Sequence, residues 1–134
     1  MRDGYTRQVE TPEGDQKFEE FQAKWKASVV VLSGVAAGTE WEVQAAQTTI
    51  GRGDTCDCRV DDDTMSKEHA VIEFSNGCLR LRDLGSMNGL RLNGADVKAG
   101  ELEAGDRFQL GDHEFQFVLQ QREKTPKTWV LPDA

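Results

Sequence analysis

Two clusters in the middle of the chain hold side chains of the kind that do chemistry. Arg52 stands in Ile50-Gly51-Arg52-Gly53, directly after a β-type run, and Ser66-Lys67-Glu68-His69 stands directly before another. Three chemistries suit such residues. They are a serine nucleophile with a histidine base, a metal site shared by cysteines and histidines, and a cradle for a phosphate group.

Hydrolysis needs more than the pair. Ser66 lies outside a Gly-x-Ser-x-Gly elbow, and nothing near it identifies an acidic partner for His69. His69 is expected instead to tie a loop together by hydrogen bonds. The metal reading fails on spacing: Cys56-Asp57-Cys58 is tighter than a zinc knuckle, and His69 and His113 make no second half-site. Asp61-Asp62-Asp63 lacks the glycine and closing glutamate of a calcium loop and reads as a solvated turn. Gly51-Arg52-Gly53 lacks the third glycine and the helix of a dinucleotide fingerprint. Neither a metal nor a cofactor is expected. The phosphate reading meets no such objection, since arginine presents a planar fork of donors, serine adds a hydroxyl and lysine a point charge.

The surrounding elements must bring these residues together. From Ser28 to about Gln120 the chain is a series of short β-like runs cut by glycine turns, such as Ser28–Leu32, Ala70–Phe74, Cys78–Leu84 and Glu114–Leu119. Leu79 and Leu81 alternate with Arg80 and Arg82, the pattern of a half-buried strand. Asn76-Gly77 is a hairpin signal, because a two-residue turn of that hand needs positive φ at both positions; Asn93-Gly94 repeats it. Many short strands without strand-helix alternation predict an all-β sandwich, whose loops at one end cluster in space.

Composition narrows the function classes. The chain has 134 residues, 37% hydrophobic and 30% charged, which suits one globular domain with tails. A net charge of −8 opposes the footprint of a protein that coats nucleic acid or anionic lipid, so neither nucleic acid nor membrane is an expected partner. No apolar stretch approaches the roughly 18 residues of a membrane span, and the N-terminus has no apolar run after its charges. A cytoplasmic location is expected. Three cysteines, Cys56, Cys58 and Cys78, are read as small buried thiols.

The predicted organisation is a flexible N-terminal tail over 1–27, a domain over 28–120 and a C-terminal tail over 121–134 with an adhesive Trp129. Within the first tail, Phe18, Phe21 and Trp25 recur at helical spacing and suggest a short helix or packing arm. Thr6 and Thr11 lie among acidic residues and are candidate phosphorylation sites. The stretch from Thr11 to Ser28 is read as a flexible tether spanning roughly 20–25 Å, which would let the tail reach the chain's own site.

The chain resembles a forkhead-associated (FHA) domain, a phosphothreonine-recognition module. The resemblance rests on Ile50-Gly51-Arg52, on Ser66-Lys67-Glu68-His69-Ala70, on Asp83 to Gly94 and on Leu102 to Phe117, four ordered blocks covering roughly residues 28–120. It implies an eleven-stranded β-sandwich whose loops at one end hold a phosphopeptide. Arg52 and Ser66 would then bind the phosphate, Lys67 would add positive charge, and Asn88 would hold the peptide backbone. Gly51, His69 and Gly89 would act as scaffold. The residue before the asparagine is often a threonine or serine in this family, and here it is Met87, with Ser86 one residue earlier as a possible replacement contact. The implied role is a non-enzymatic adaptor in Ser/Thr protein kinase signalling. Its partner would be a phosphothreonine-containing protein or its own phosphorylated N-terminal tail. The alternative is a phosphate-independent assembly module on the same fold.

Overall fold

The computed structural model describes residues 10–122. One helix, α1 (Glu10–Lys24), leads directly into eleven strands. These are β1 (Trp25–Val31), β2 (Glu40–Glu42), β3 (Gln47–Gly51), β4 (Cys58–Arg59), β5 (Ala70–Ser75), β6 (Cys78–Asp83), β7 (Leu90–Leu92), β8 (Ala95–Val97), β9 (Ala99–Leu102), β10 (Arg107–Leu110) and β11 (His113–Gln121). They form two sheets, ordered β2-β1-β11-β10-β7-β8 and β4-β3-β5-β6-β9. The expected eleven-stranded sandwich is present.

The core forms because alternating side chains of both sheets point inward. Val29 and Val31 of β1, Ile50 of β3, Ile72 of β5, Leu81 of β6 and the phenylalanines of β10 and β11 are buried. Phe108 and Phe115 stack with ring centroids 5.1 Å apart. Arg80 and Arg82 stay on the exposed side of β6, as the alternation predicts. At the β5–β6 turn Asn76 has φ 54° and Gly77 has φ 81°, the hairpin geometry read from the sequence.

Regular structure extends past 28–120 on both sides. Trp25, Lys26 and Ala27 continue β1 by pairing with Gln121, Gln120 and Leu119 of β11. Two short strands escaped the sequence reading: β8 and β9 lie in a stretch with little alternation and exist because β7 and β6 offer them ladder partners. The cysteine expectation also needs correction. Only Cys58 is buried, its thiol pushed up to about 12 chiefly by desolvation; Cys56 is half-buried, and Cys78 is exposed beside the hairpin turn.

α1 is longer than the suggested arm, and Trp25 is the first strand residue instead of part of its apolar face. Pro12 in the first turn costs no hydrogen bond, and Lys24 in the last turn suits the negative end of the helix dipole. Carbonyls of the last turn are satisfied by Arg122, whose N–H donates to Lys24 O at 2.8 Å and whose Nε donates to Gln22 O at 2.6 Å. Phe18 is buried, and its ring meets Phe74 edge-on at 5.4 Å, with Phe21 at 5.2 Å from the same ring. Phe74 is near the end of β5, by the β5–β6 turn, so the helix plugs one end of the sandwich. Thr6 and Trp129 lie outside the described residues. Thr11 lies in α1, so the segment read as a flexible tether from Thr11 to Ser28 is helix and strand.

Candidate functional site

The end of the sandwich away from α1 carries the loops β3–β4, β4–β5 and β6–β7, and these hold Arg52, Ser66, Lys67, His69, Ser86, Met87, Asn88 and Gly89, with Gly51 the last residue of β3. The first two interlock through their backbones. Arg52 N–H donates to Ser66 O at 2.9 Å, and Gly53 N–H donates to Lys67 O at 3.0 Å. Gly51 permits this approach, because a Cβ there would lie 2.3 Å from Lys67 O. Cys56 Sγ donates to the same carbonyl at 2.9 Å.

Arg52 Nε donates to Met65 O at 3.1 Å, which orients the guanidinium across the second loop. It lines a surface groove of about 630 Å3 with Asp54, Arg59, Asp61, Lys67 and Glu68. Arg59 was not singled out in the sequence, where it stands in an ordinary alternating run. Its Nε donates to Arg52 O at 3.0 Å, and its guanidinium lies 3.4 Å from Asp54 and 3.8 Å from Asp61. Three cations and three carboxylates thus share the groove.

Ser66 and His69 meet, but not as nucleophile and base. The Ser66 backbone N–H donates to His69 Nδ1 at 3.1 Å, so that nitrogen accepts and the ring proton sits on Nε2, which donates to Gly89 O at 2.8 Å. His69 is fully buried and fastens the β4–β5 loop to the β6–β7 loop, the structural role expected of it. Ser66 Oγ accepts the Met87 N–H at 3.0 Å, which leaves the hydroxyl proton to be donated to an incoming anion.

The β6–β7 loop is organised by Asp83. Its carboxylate accepts from Gly85 N–H at 3.0 Å, Ser86 N–H at 3.1 Å and Ser86 Oγ at 2.5 Å. Desolvation pushes the Asp83 carboxyl upward, but the hydrogen bonds from Ser86 and Gly85 outweigh it and hold it below the usual carboxylate range. Ser86 Oγ also accepts Gly89 N–H at 2.9 Å, so this hydroxyl is engaged inside its own loop. Gly89 has φ 79°, a left-handed turn suited to glycine. Asn88 is exposed, and its Nδ2 donates to Thr64 O at 2.8 Å. Met87 is the most exposed large apolar side chain among the described residues.

A further network lies behind Asn88 and was not legible in the sequence. Asp62 accepts from Thr64 N–H at 3.0 Å and Thr64 Oγ1 at 2.5 Å, bonds that hold its carboxyl below the usual range. Thr64 Oγ1 in turn accepts Asp112 N–H at 3.1 Å. The buried ring of His113 lies 3.3 Å from Asp62 through Nε2, without the alignment of a hydrogen bond. Among the described residues no group of three or more histidines, cysteines and carboxylates is placed to hold a metal ion. No helix of the described residues is long and apolar enough to cross a membrane.

Comparison with known proteins covers this same region. A family model described as the cytoplasmic domain of the inner membrane component of T3SS matches residues 30–121. The oxoglutarate dehydrogenase inhibitor of Corynebacterium glutamicum is 33% identical over 92 residues, 69% of this chain and 64% of the relative. Glycogen accumulation regulator GarA of Mycobacterium tuberculosis is 34% identical over 92 residues, 69% of this chain and 57% of its own length. The chain thus spans less than two-thirds of these relatives. Among solved structures, one from an analysis of phosphothreonine-dependent FHA domain interactions superposes with a TM-score of 0.64 at 28% identity, covering 69% of this chain and 95% of that one. Mycobacterium tuberculosis EmbR in complex with a low affinity phosphopeptide superposes with a TM-score of 0.64 at 33% identity, covering 69% of this chain and 24% of that one. With its eleven strands in two sheets and these matches across the sandwich, the chain belongs to the forkhead-associated domain family.

Proposed function

We propose that the chain binds phosphothreonine peptides at the loop end of the sandwich and serves as an adaptor in Ser/Thr kinase signalling. The observation that carries this reading is the convergence there of Arg52, Ser66, Lys67 and Asn88 from three loops fastened together by Gly51 and His69. Arg52 and Lys67 supply the charge for a phosphate that bears about −1.5 to −2 at neutral pH. Ser66 supplies a hydroxyl donor, and Asn88 an amide for the peptide backbone. Solved relatives described as phosphothreonine-dependent or phosphopeptide-bound support the same assignment. The relatives' names are those of regulators and an inhibitor, and we assign the chain no catalytic step. We place it in the cytoplasm with its kinase, apart from nucleic acid and membrane.

The tail enters as a second ligand. Thr11 is about 10 Å up the helix from Phe18, which is anchored at the far end of the sandwich. Strands of six residues put the two ends about 20 Å apart. We therefore read a phosphorylated Thr11 as a ligand for the site of a neighbouring molecule more readily than for its own. Titration with matched phosphorylated and unphosphorylated threonine peptides tests the site. Equal affinity for the two forms would favour phosphate-independent assembly. Phosphorylating the intact chain and repeating the titration with Thr6→Ala and Thr11→Ala tests the tail, and unchanged binding after full phosphorylation would remove it from the account.

A further inference from the structure

Strand alternation aims two aromatic side chains at a core that does not reach them. Trp25 stands on the row of β1 that holds Ala27, Val29 and Val31, and Phe74 on the row of β5 that holds Ala70 and Ile72. Both are only half-buried, because the sandwich ends there. Phe21 of α1 is half-buried over the same place, its ring 5.2 Å from that of Phe74. The three line a surface groove of about 510 Å3, flanked by Lys17, Glu20 and Lys24 of the helix. Docking of α1 thus covers Phe18 and leaves an aromatic groove beside it.

The chain leaves the described structure at this groove. Gln121 pairs with Trp25, and Arg122 N–H donates to Lys24 O at 2.8 Å, so residue 123 starts at the groove's edge. The Arg122 side chain fixes that point, donating through Nε to Gln22 O at 2.6 Å and pairing with Glu42 of β2. Residues 123–134 follow, and their only large hydrophobic side chains are the adjacent Trp129, Val130 and Leu131.

We propose that Trp129 and Leu131 seat in this groove, so that the chain's own C-terminal segment closes the end of the sandwich remote from Arg52 and Ser66. Seven extended residues span at most about 25 Å, whereas the groove runs about 10 Å along α1 from Lys17 to Lys24. Trp129 can therefore reach any part of it. Attachment at Arg122 presents the run at an effective concentration in the millimolar range. In an extended run Trp129 and Leu131 face one side, and burying a tryptophan removes on the order of 200 Å2 from water. The charges agree, since Asp133 follows the run and Lys17 and Lys24 flank the groove. Residues 1–9 fit less well: they join the helix at Glu10, about 21 Å from Lys24, and have no two adjacent large apolar residues. A net charge of −8 argues against a second copy of this chain as the occupant.

The test is NMR on the full chain, on wild type and on Trp129→Ser and Leu131→Ser, changes that touch neither the sandwich nor α1. In wild type the Trp129 ring should show nuclear Overhauser contacts with Phe21, Trp25 or Phe74. Amide exchange over residues 17–24 should be at least about fivefold faster in each variant, the factor given by exposing about 40 Å2 of apolar surface. No contact between Trp129 and these rings, or exchange equal to wild type in both variants, would overturn the proposal and leave the groove to another occupant. Contacts found only between differently labelled copies in a mixed sample would also overturn it, and would assign the groove to a second molecule.

Discussion

His69 Nε2 lies 2.8 Å from the carbonyl oxygen of Gly89, twenty residues away, while its Nδ1 accepts the backbone N–H of Ser66. One buried imidazole thus holds the β4–β5 loop to the β6–β7 loop. His69→Ala should leave both backbone groups without partners and open a cavity, costing about 2–4 kcal/mol of stability. Chemical denaturation reads this loss. Phosphopeptide affinity should fall further than the stability change alone explains, because the spacing of Ser66 and Asn88 is no longer held.

Arg52→Ala should leave a folded sandwich and weaken phosphopeptide binding at least about tenfold, since hydrogen bonds to charged groups contribute about 1.5–3 kcal/mol each. Ser66→Ala and Lys67→Ala should each weaken it less. Calorimetric titration of one phosphopeptide against all three variants gives the order, and wild-type affinity in Arg52→Ala would show that the pocket lies elsewhere.

Gly51→Ala should act through the backbone. Its Cβ would come within 2.3 Å of Lys67 O and 2.9 Å of Ser66 O, neither of which can move without breaking the bonds from Arg52 and Gly53. A loss of stability of about 1–3 kcal/mol is expected, the usual cost of forced overpacking. Amide exchange should speed up at Arg52 and Gly53 before the rest of the sheet.

The Asp83 carboxyl titrates below its ordinary range when folded, because the hydrogen bonds from Ser86 and Gly85 outweigh its desolvation. A depressed folded-state value means that its contribution is fully present above the unfolded value, about 3.9, and is lost as pH falls through the lower folded value. Acid titration of the β6–β7 loop by NMR should therefore show Ser86 and Gly89 amides shifting only below about pH 4. Asp83→Asn should lose that transition.

Phe18→Ala tests the separation of the two ends. Phe18 is buried against Phe74 beneath α1, so the change should cost about 3 kcal/mol. Phosphopeptide affinity, measured where the variant is fully folded, should match wild type.

What the sequence determined by itself is local. Strand alternation at Leu79 and Leu81 and positive φ at Asn76-Gly77 follow from side-chain period and turn sterics, which act over two to four residues and can be read from them directly. Arg52, Ser66 and Lys67 could be singled out by the donor chemistry of their side chains, whereas Asn88 was singled out only through the resemblance. Tertiary structure decided the rest. The contacts of Thr64 with Asn88, of His113 with Asp62 and of Arg59 with the groove join residues that no local pattern pairs. Nor does any local pattern show that the helix suggested by Phe18 and Phe21 reaches back to Thr11 or docks on the far end from the site, so that the segment read as a flexible tether is helix and strand. Such pairings depend on the register of one sheet over the other, which is set by how the inward side chains of both pack into a common core.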